Sequence, residues 1–204
     1  MSGIGPRSLD PEDKRALLLD SAERTFCRLG YARTGIAALA ADAGVTRPTV
    51  YAYYASKEEV FRALAERVRA EFLALQERAD TSSPVTTARS AVELYFDTYL
   101  RHRGMLTVIA HQAITDPEIR HLHDEIHTRA NRRHTRFLQR LVDSGEITLP
   151  AAPDTVSEAI TGVTMRFADL ADDDPARSPA LRRELVEVYL ALTGLSSTTE
   201  RTTS

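Results

Sequence analysis

Residues 34–57 read TGIAALAADAGVTRPTVYAYYASK, and the way this stretch must divide decides the fold. Ile36, Leu39 and Ala40 recur at helical spacing and predict a short helix over 35–43. Gly44 suits a left-handed turn, because it has no Cβ to clash with the backbone. Val45 can then plug the angle between two helices. Thr46 is a capping residue, and it predicts a further short helix ending near Tyr54. Two short helices meeting at Ala43-Gly44-Val45 are the sequence form of a helix-turn-helix. In the second of them Val50 and Tyr54, four residues apart, face inward, while Arg47, Pro48 and Thr49 form an exposed first turn.

The flanks extend the same pattern. Asp10-Pro11 reads as an N-cap followed by proline at the first helical position. Leu18, Ala22, Phe26 and Leu29 then recur along a first helix that Gly30 ends. Ser56 and Glu59 form a capping box that opens a fourth helix to about Arg78. Asp80 to Pro84 is a break carrying its own cap. A fifth helix is expected to about His102 and a sixth from about Gly104 to Ile114. Asp116-Pro117 opens a seventh, closed by Gly145. Pro153 opens an eighth that runs to Asp172–Asp174, and Ser178-Pro179 opens a ninth ending at Gly194. No segment sustains the period-two alternation of a strand. The expected fold is all-α, with about nine helices: a three-helix helix-turn-helix domain over 9–56, a second helical domain over 57–195, and flexible tails at 1–8 and 196–204.

Composition limits the function classes. The 204 residues carry a net charge of −3, so a basic surface must be local. Residues 1–57 hold eight Lys/Arg against six Asp/Glu, whereas residues 79–204 hold fourteen against eighteen. The N-terminal excess has the sign that a reader of phosphates needs. A single cysteine, Cys27, excludes an intrachain disulfide and reads as a small buried hydrophobe. With no apolar leader after Met1 and no run long enough to span a bilayer, a cytoplasmic protein without a membrane partner is expected. No Walker loop, GxGxxG or GxSxG is present, so no catalytic residues, no cofactor and no enzyme activity are expected.

The exposed turn has specific chemistry to offer. A short helix entering a major groove end-on presents its first turn to the bases. Arg47 can donate two hydrogen bonds to guanine O6 and N7, and Thr49 and Pro48 can touch a thymine methyl. Thr46 caps the same turn. Tyr51, Tyr53 and Lys57 could hold phosphates and set the register. Other roles stay open at this point: Tyr51 and Tyr53 could be partly core, Lys57 a solvated surface lysine, and Arg47 part of an internal ion pair.

These residues resemble the DNA-binding domain of TetR-family transcriptional regulators. The resemblance runs over about residues 12–62. It is carried by Phe26…Gly30-Tyr31, Leu39-Ala40…Ala43-Gly44-Val45, and Thr49-Val50-Tyr51…Tyr54…Ser56-Lys57-Glu58. It implies contacts to a double-stranded DNA operator from residues 47–49, 51, 53 and 57. It also implies a C-terminal domain that dimerises and binds a ligand. One departure stands out: the family commonly has two hydroxyl residues before helix 2, and here they are Thr34 and Gly35. Gly35 can cap but has no side-chain oxygen, so a phosphate contact there falls to Thr34 or to a backbone N–H.

The C-terminal half carries broad apolar faces. The ninth helix shows Leu181, Leu185, Val188, Leu192 and Leu195 on one stripe, with Val186, Tyr189 and Leu190 on another. A helix with two apolar sides needs two partners. In the eighth helix Ala159 and Gly162 would allow close approach. A homodimer through helices 8 and 9 is therefore expected, the alternative being a well-buried monomer. Tyr95, Phe96, Tyr99, Met105, Ile109, Gln112 and Met165 could line an apolar ligand pocket or be plain core. All six histidines lie between His102 and His134. His123 and His127, four apart, could hold a metal, but no cysteine or HExxH supports one. The expectation is no metal site, with His121, His123 and His127 on a partly solvated helix face.

The reading as a whole is a repressor that binds a palindromic operator as a homodimer and is released by a small-molecule effector. An activator of the same architecture, or a helical ligand-binding protein with a vestigial head, is the alternative.

Overall fold

The structure, a computed structural model, describes residues 10–78 and 82–195, with the backbone alone at 76–78. It consists of α1 (Pro11–Leu29), α2 (Ile36–Asp42), α3 (Arg47–Tyr51), α4 (Lys57–Arg78), α5 (Pro84–Ala113), α6 (Pro117–Asp143), α7 (Pro153–Asp173), a 3₁₀ turn at Pro175–Arg177, and α8 (Ser178–Thr193). No strand occurs among the described residues. The expected flexible tails, 1–8 and 196–204, lie outside the described residues, as do residues 79–81 of the expected break.

Most boundaries follow from local chemistry. Asp10 accepts from the Asp13 N–H at 2.8 Å, with Pro11 in the first turn. Ser56 Oγ accepts from the Glu59 N–H, and the Glu59 carboxylate returns to the Ala55 N–H. Asp116 Oδ1 accepts from the N–H groups of Glu118 and Ile119. In each case a side-chain oxygen satisfies donors that the first helical turn leaves without partners.

Among the described residues the α-helices number eight rather than nine, because the expected fifth and sixth helices are one, α5. Gly104, expected near a break, sits inside it. A glycine in a helix costs only about 1 kcal/mol, and here it has a packing reason. A Cβ at Gly104 would stand 3.1 Å from Cys27 Sγ, so a larger residue there requires the sulfur to give way by a few tenths of an ångström. Cys27 itself is exposed rather than buried. Partial burial of the sulfur, then the Glu23 carboxylate, push its thiol up to about 11.

The chain forms two compact units. One holds the described residues up to Arg69 together with Gly104–His123; the other holds Ala70–Arg103 and the described residues from Asp124. Helices α4, α5 and α6 contribute residues to both. The first unit reaches beyond the expected boundary at residue 56. One long helix and two short ones leave an apolar face to cover, and Val60, Phe61, Leu64, Ala65 and Val68 of α4 are all buried in that unit's core. Phe26, Tyr31 and Phe61 form an aromatic cluster with centroids 4.9–5.8 Å apart. Met105 and Ile109 add to the same core.

In the second unit α7 and α8 pack on each other. Leu181, Leu185, Val186 and Tyr189 are buried, whereas Val188 is 41% exposed and Leu192 half-buried. The buried side of α8 thus takes Leu181 and Leu185 from one expected stripe, with Leu195 just beyond the helix, and Val186 and Tyr189 from the other. Val188 and Ala191, with Ala159 and Gly162 on α7, are left on exposed surface.

Candidate functional site

The helix-turn-helix is held by polar contacts as well as by its core. Ser21 Oγ and the Arg24 guanidinium converge on Asp42 Oδ2, at 2.9 and 2.7 Å. Burial alone would raise the Asp42 carboxyl, but hydrogen bonds from Ser21 and Arg24 hold it below its ordinary value. α1 is thereby pinned to the end of α2. Arg67 of α4 bridges Asp20 and Glu23 of α1 at 2.6 and 2.7 Å. Val50 and Tyr54 are 1% and 2% exposed, so α3 is fixed from behind and its opposite side faces outward.

On that outward side lie most of the expected DNA-reading residues. Thr46 caps α3, and its Oγ1 lies 2.9 Å from Thr49 Oγ1. Arg47 and Pro48 are exposed and Thr49 is half-buried. The Arg47 guanidinium has no ion pair or hydrogen bond among the described residues, which leaves its fork of donors available. Tyr51 is 55% exposed. Tyr53 is half-buried, with the Arg15 guanidinium 5.8 Å from its ring centroid. Lys57 sits 4.2 Å above the Tyr31 ring and donates to the Tyr31 carbonyl at 3.3 Å. It is a positioned cation rather than a freely solvated one.

Position 34 differs from the rest. Thr34 is 2% exposed and its hydroxyl donates to the Gly30 carbonyl at 2.8 Å. That proton is spent closing the end of α1. Exposed Gly35 is the N-cap of α2 and makes no side-chain cap bond, so only backbone N–H groups face outward there.

The second unit contains a cavity of about 710 Å³, within the range of small-molecule sites. Of the seven residues expected to face a ligand, Tyr95 alone lines it. Phe96, Met105 and Ile109 are fully buried core residues, Tyr99 is 8% exposed, and Gln112 and Met165 are half-buried elsewhere. The lining comes instead from Phe72 of α4, Val92 of α5, Asn131, His134, Arg136 and Arg140 of α6, and Thr161 of α7, among others. The signal in the sequence was the run Arg133, Arg136, Arg140 around Phe137. It has the spacing of one helical face, and it reads as solvated surface unless the neighbouring helices are known.

Two hydrogen-bond networks border this cavity. His134 places Nδ1 2.9 Å from Ser157 Oγ and Nε2 2.8 Å from the Tyr189 hydroxyl. Burial holds its imidazole down to about 4, so the ring is neutral at neutral pH. Asn131 donates to Glu158 at 2.7 Å and accepts from Thr161 at 2.6 Å. His127 Nδ1 lies 3.4 Å from the Tyr95 hydroxyl. His121 is exposed and His123 and His127 are half-buried, the partly solvated face expected of them. No group of three metal-ligating side chains occurs among the described residues, and no helix there is long and apolar enough to cross a membrane.

Comparison with known proteins agrees with this geometry. The family profile described as bacterial regulatory proteins, tetR family, matches residues 18–64. The transcriptional activator FasR of Mycolicibacterium smegmatis is 29% identical over 118 residues. That alignment covers 54% of this chain and 52% of FasR, so the chain spans about half the length of this relative. The transcriptional regulator EthR of the same species is 25% identical over 194 residues, covering 86% and 84% of the two chains. The fold matches that of the TetR-family regulator PfmR from Thermus thermophilus, with a TM-score of 0.73, 19% identity, and coverage of 85% and 97%. From the capped turn at Thr46 to the profile match, sequence, geometry and likeness agree, and residues 18–64 form a domain of the tetR family of bacterial regulatory proteins.

Proposed function

We propose that this chain is a transcriptional repressor that binds a palindromic DNA operator as a homodimer and is released by a small molecule in the second unit's cavity. The observation that carries the DNA reading is the first turn of α3. Arg47 and Pro48 are exposed there, the turn is capped by Thr46, and it is held from behind by buried Val50 and Tyr54. In this reading Arg47, Pro48 and Thr49 contact bases. Thr46, Tyr51, Tyr53, Lys57 and the backbone at Gly35 contact phosphates, and Thr34 supports the turn without touching DNA. The DNA-binding head comprises the three helices of the 9–56 segment together with the buried face of early α4. It acts in the cytoplasm, where the DNA is, and performs no catalysis.

Dimerisation is assigned to the exposed face of α7 and α8, the helices expected as eighth and ninth. Support comes from Val188, one of three large apolar side chains that are exposed among the described residues, and from the small residues Ala159, Gly162 and Ala191, also in exposed positions on these two helices. A dimer would set two recognition helices in successive major grooves, roughly 34 Å apart. A ligand regulates such a pair only if it prefers one spacing of the heads over the other. Helix α4 carries both Lys57 and the cavity-lining Phe72 and Leu75, which makes it the natural lever.

The test is selection of bound duplexes from a randomised pool by the full chain. A two-fold symmetric consensus, relaxed at one base position of each half by Arg47→Ala, is the expected result. Recovery of unselected DNA would overturn the reading. An activator of the same architecture is the second reading, favoured by the activator FasR among the relatives; transcription from a promoter bearing the selected site separates the two.

A further inference from the structure

Proton accounting around the cavity narrows what it can hold. Each hydroxyl on its inner walls has one proton to give. Thr87 gives its proton to the Ser83 carbonyl at 2.7 Å, Thr164 to the Ile160 carbonyl at 2.8 Å, and Thr161 to Asn131 Oδ1 at 2.6 Å. Ser157 donates to the Asn131 carbonyl at 3.3 Å, and therefore accepts from His134 Nδ1–H. That assigns Nε2 as an acceptor, with the Tyr189 hydroxyl as its donor. Thr87, Thr161, Thr164 and Tyr189 are thus left with lone pairs alone for a guest, and a carboxylate or carbonyl placed against them would find no donor.

The α6 wall is the opposite. Arg133, Arg136 and Arg140 line the cavity, and a guanidinium is a donor only. Neither Asp nor Glu occurs among the lining residues. Arg140 has no ion pair or hydrogen bond among the described residues, and Arg136 uses only Nε, on the Arg132 carbonyl. A cationic guest would meet like charges here. An acid group would make charge-assisted, geometrically matched bonds. Between these walls the surface is apolar, with Phe72, Val92, Phe137 and Ile160.

We infer that the cavity takes an amphipathic organic anion, its acid group paired with Arg136 and Arg140 at the α6 wall and its apolar body laid along Phe72, Val92 and Ile160. This rests on reading the cavity as the effector site. Both arginines are exposed, so the pairing is partly solvated and weakens as salt is added.

The test uses three probes of one chain length on the full protein, below their micelle concentrations: decanoate, 1-decanol and decyltrimethylammonium. Calorimetry and thermal shift are expected to show saturable binding of decanoate, with the alcohol weaker and the cation weakest. Arg136→Gln and Arg140→Gln together should weaken decanoate about tenfold or more at low salt. Arg132→Gln, which removes one positive charge on the same helix outside the cavity lining, should leave it unchanged. Equal binding of the three probes, no binding of decanoate, or an unchanged double variant overturns the inference. The fate of the effector reading is measured separately, as release of the selected DNA. Decanoate that binds through the two arginines without releasing DNA supports the anion inference and defeats the effector reading. Decanol that binds as tightly as decanoate and releases DNA does the reverse.

Discussion

The two units use polar contacts in opposite ways. In the head, polar groups tie one helix to the next at the edge of a close-packed apolar core: Ser21 and Arg24 on Asp42, Arg67 on Asp20 and Glu23. In the second unit they lie against empty space. His134, Ser157 and Tyr189, and Asn131, Thr161 and Glu158, form chains of hydrogen bonds beside a cavity of about 710 Å³. Aromatic rings fill the head's core, so its outer turn is presented on a rigid support. The interior of the second unit is left partly open, and its hydroxyls are held in fixed orientations. One region presents a surface and the other keeps the shape of a cavity.

The contrast is broken most readily through the aromatic cluster. Phe61→Ala should cost about 3–5 kcal/mol, read as a lower midpoint in urea. A loss near zero would mean that the head does not rest on that cluster. Next is the pH dependence of the second unit. The folded His134 imidazole titrates at about 4, below an unfolded histidine near 6.5. As pH falls below about 6.5 the unfolded chain takes up a proton that the folded chain refuses, so stability drops between there and about 4. The loss is about 3 kcal/mol in all. Denaturation at neutral pH and near pH 4.5 should show a smaller difference in His134→Gln than in the parent.

Smaller effects belong to the head's surface. Arg47→Ala should lose about 1–3 kcal/mol of operator affinity and relax base choice at one position, measured by repeating the selection. Asp42→Asn should cost about 1 kcal/mol, because its partners are largely solvated. Its depressed carboxyl stabilises the fold above the ordinary carboxylate range, and that contribution is lost as pH falls through the folded value; the variant's acid transition should accordingly be shallower. Smallest is Lys57→Ala, expected to weaken all sequences alike and to reduce the slope of log affinity against log salt by about one. A base-specific change in that variant would place Lys57 among the readers.

The head was largely legible because its information is local. Asp10, Gly30, Thr46, Ser56 and Glu59 each act within four residues of themselves, which is the distance over which caps and turns work. Thr34 is the exception: a hydroxyl before a helix suggests a phosphate contact, and only the fold shows its proton given to Gly30. The cavity was not legible. Tyr95 and Phe96 are neighbours in sequence with equal apolar character, yet one lines the cavity and the other is sealed in the core. Which of them does so depends on the rotation of α5 against α4, α6 and α7, and periodicity gives a helix's faces without naming what each face meets. Gly104 is the same lesson in reverse, for its signal read as a break and its cause is the sulfur of Cys27 on another helix.

By itself, then, the sequence determined the all-α class, the helix-turn-helix and the outward turn of Arg47, Pro48 and Thr49, because capping, turn chemistry and helical period are properties of neighbours along the chain. Tertiary structure alone decided the continuity of α5, the core side of α8, and the placing of arginines around one cavity with hydroxyls whose protons are already given. Those depend on which helix faces come together, and residues far apart in the chain settle that by packing.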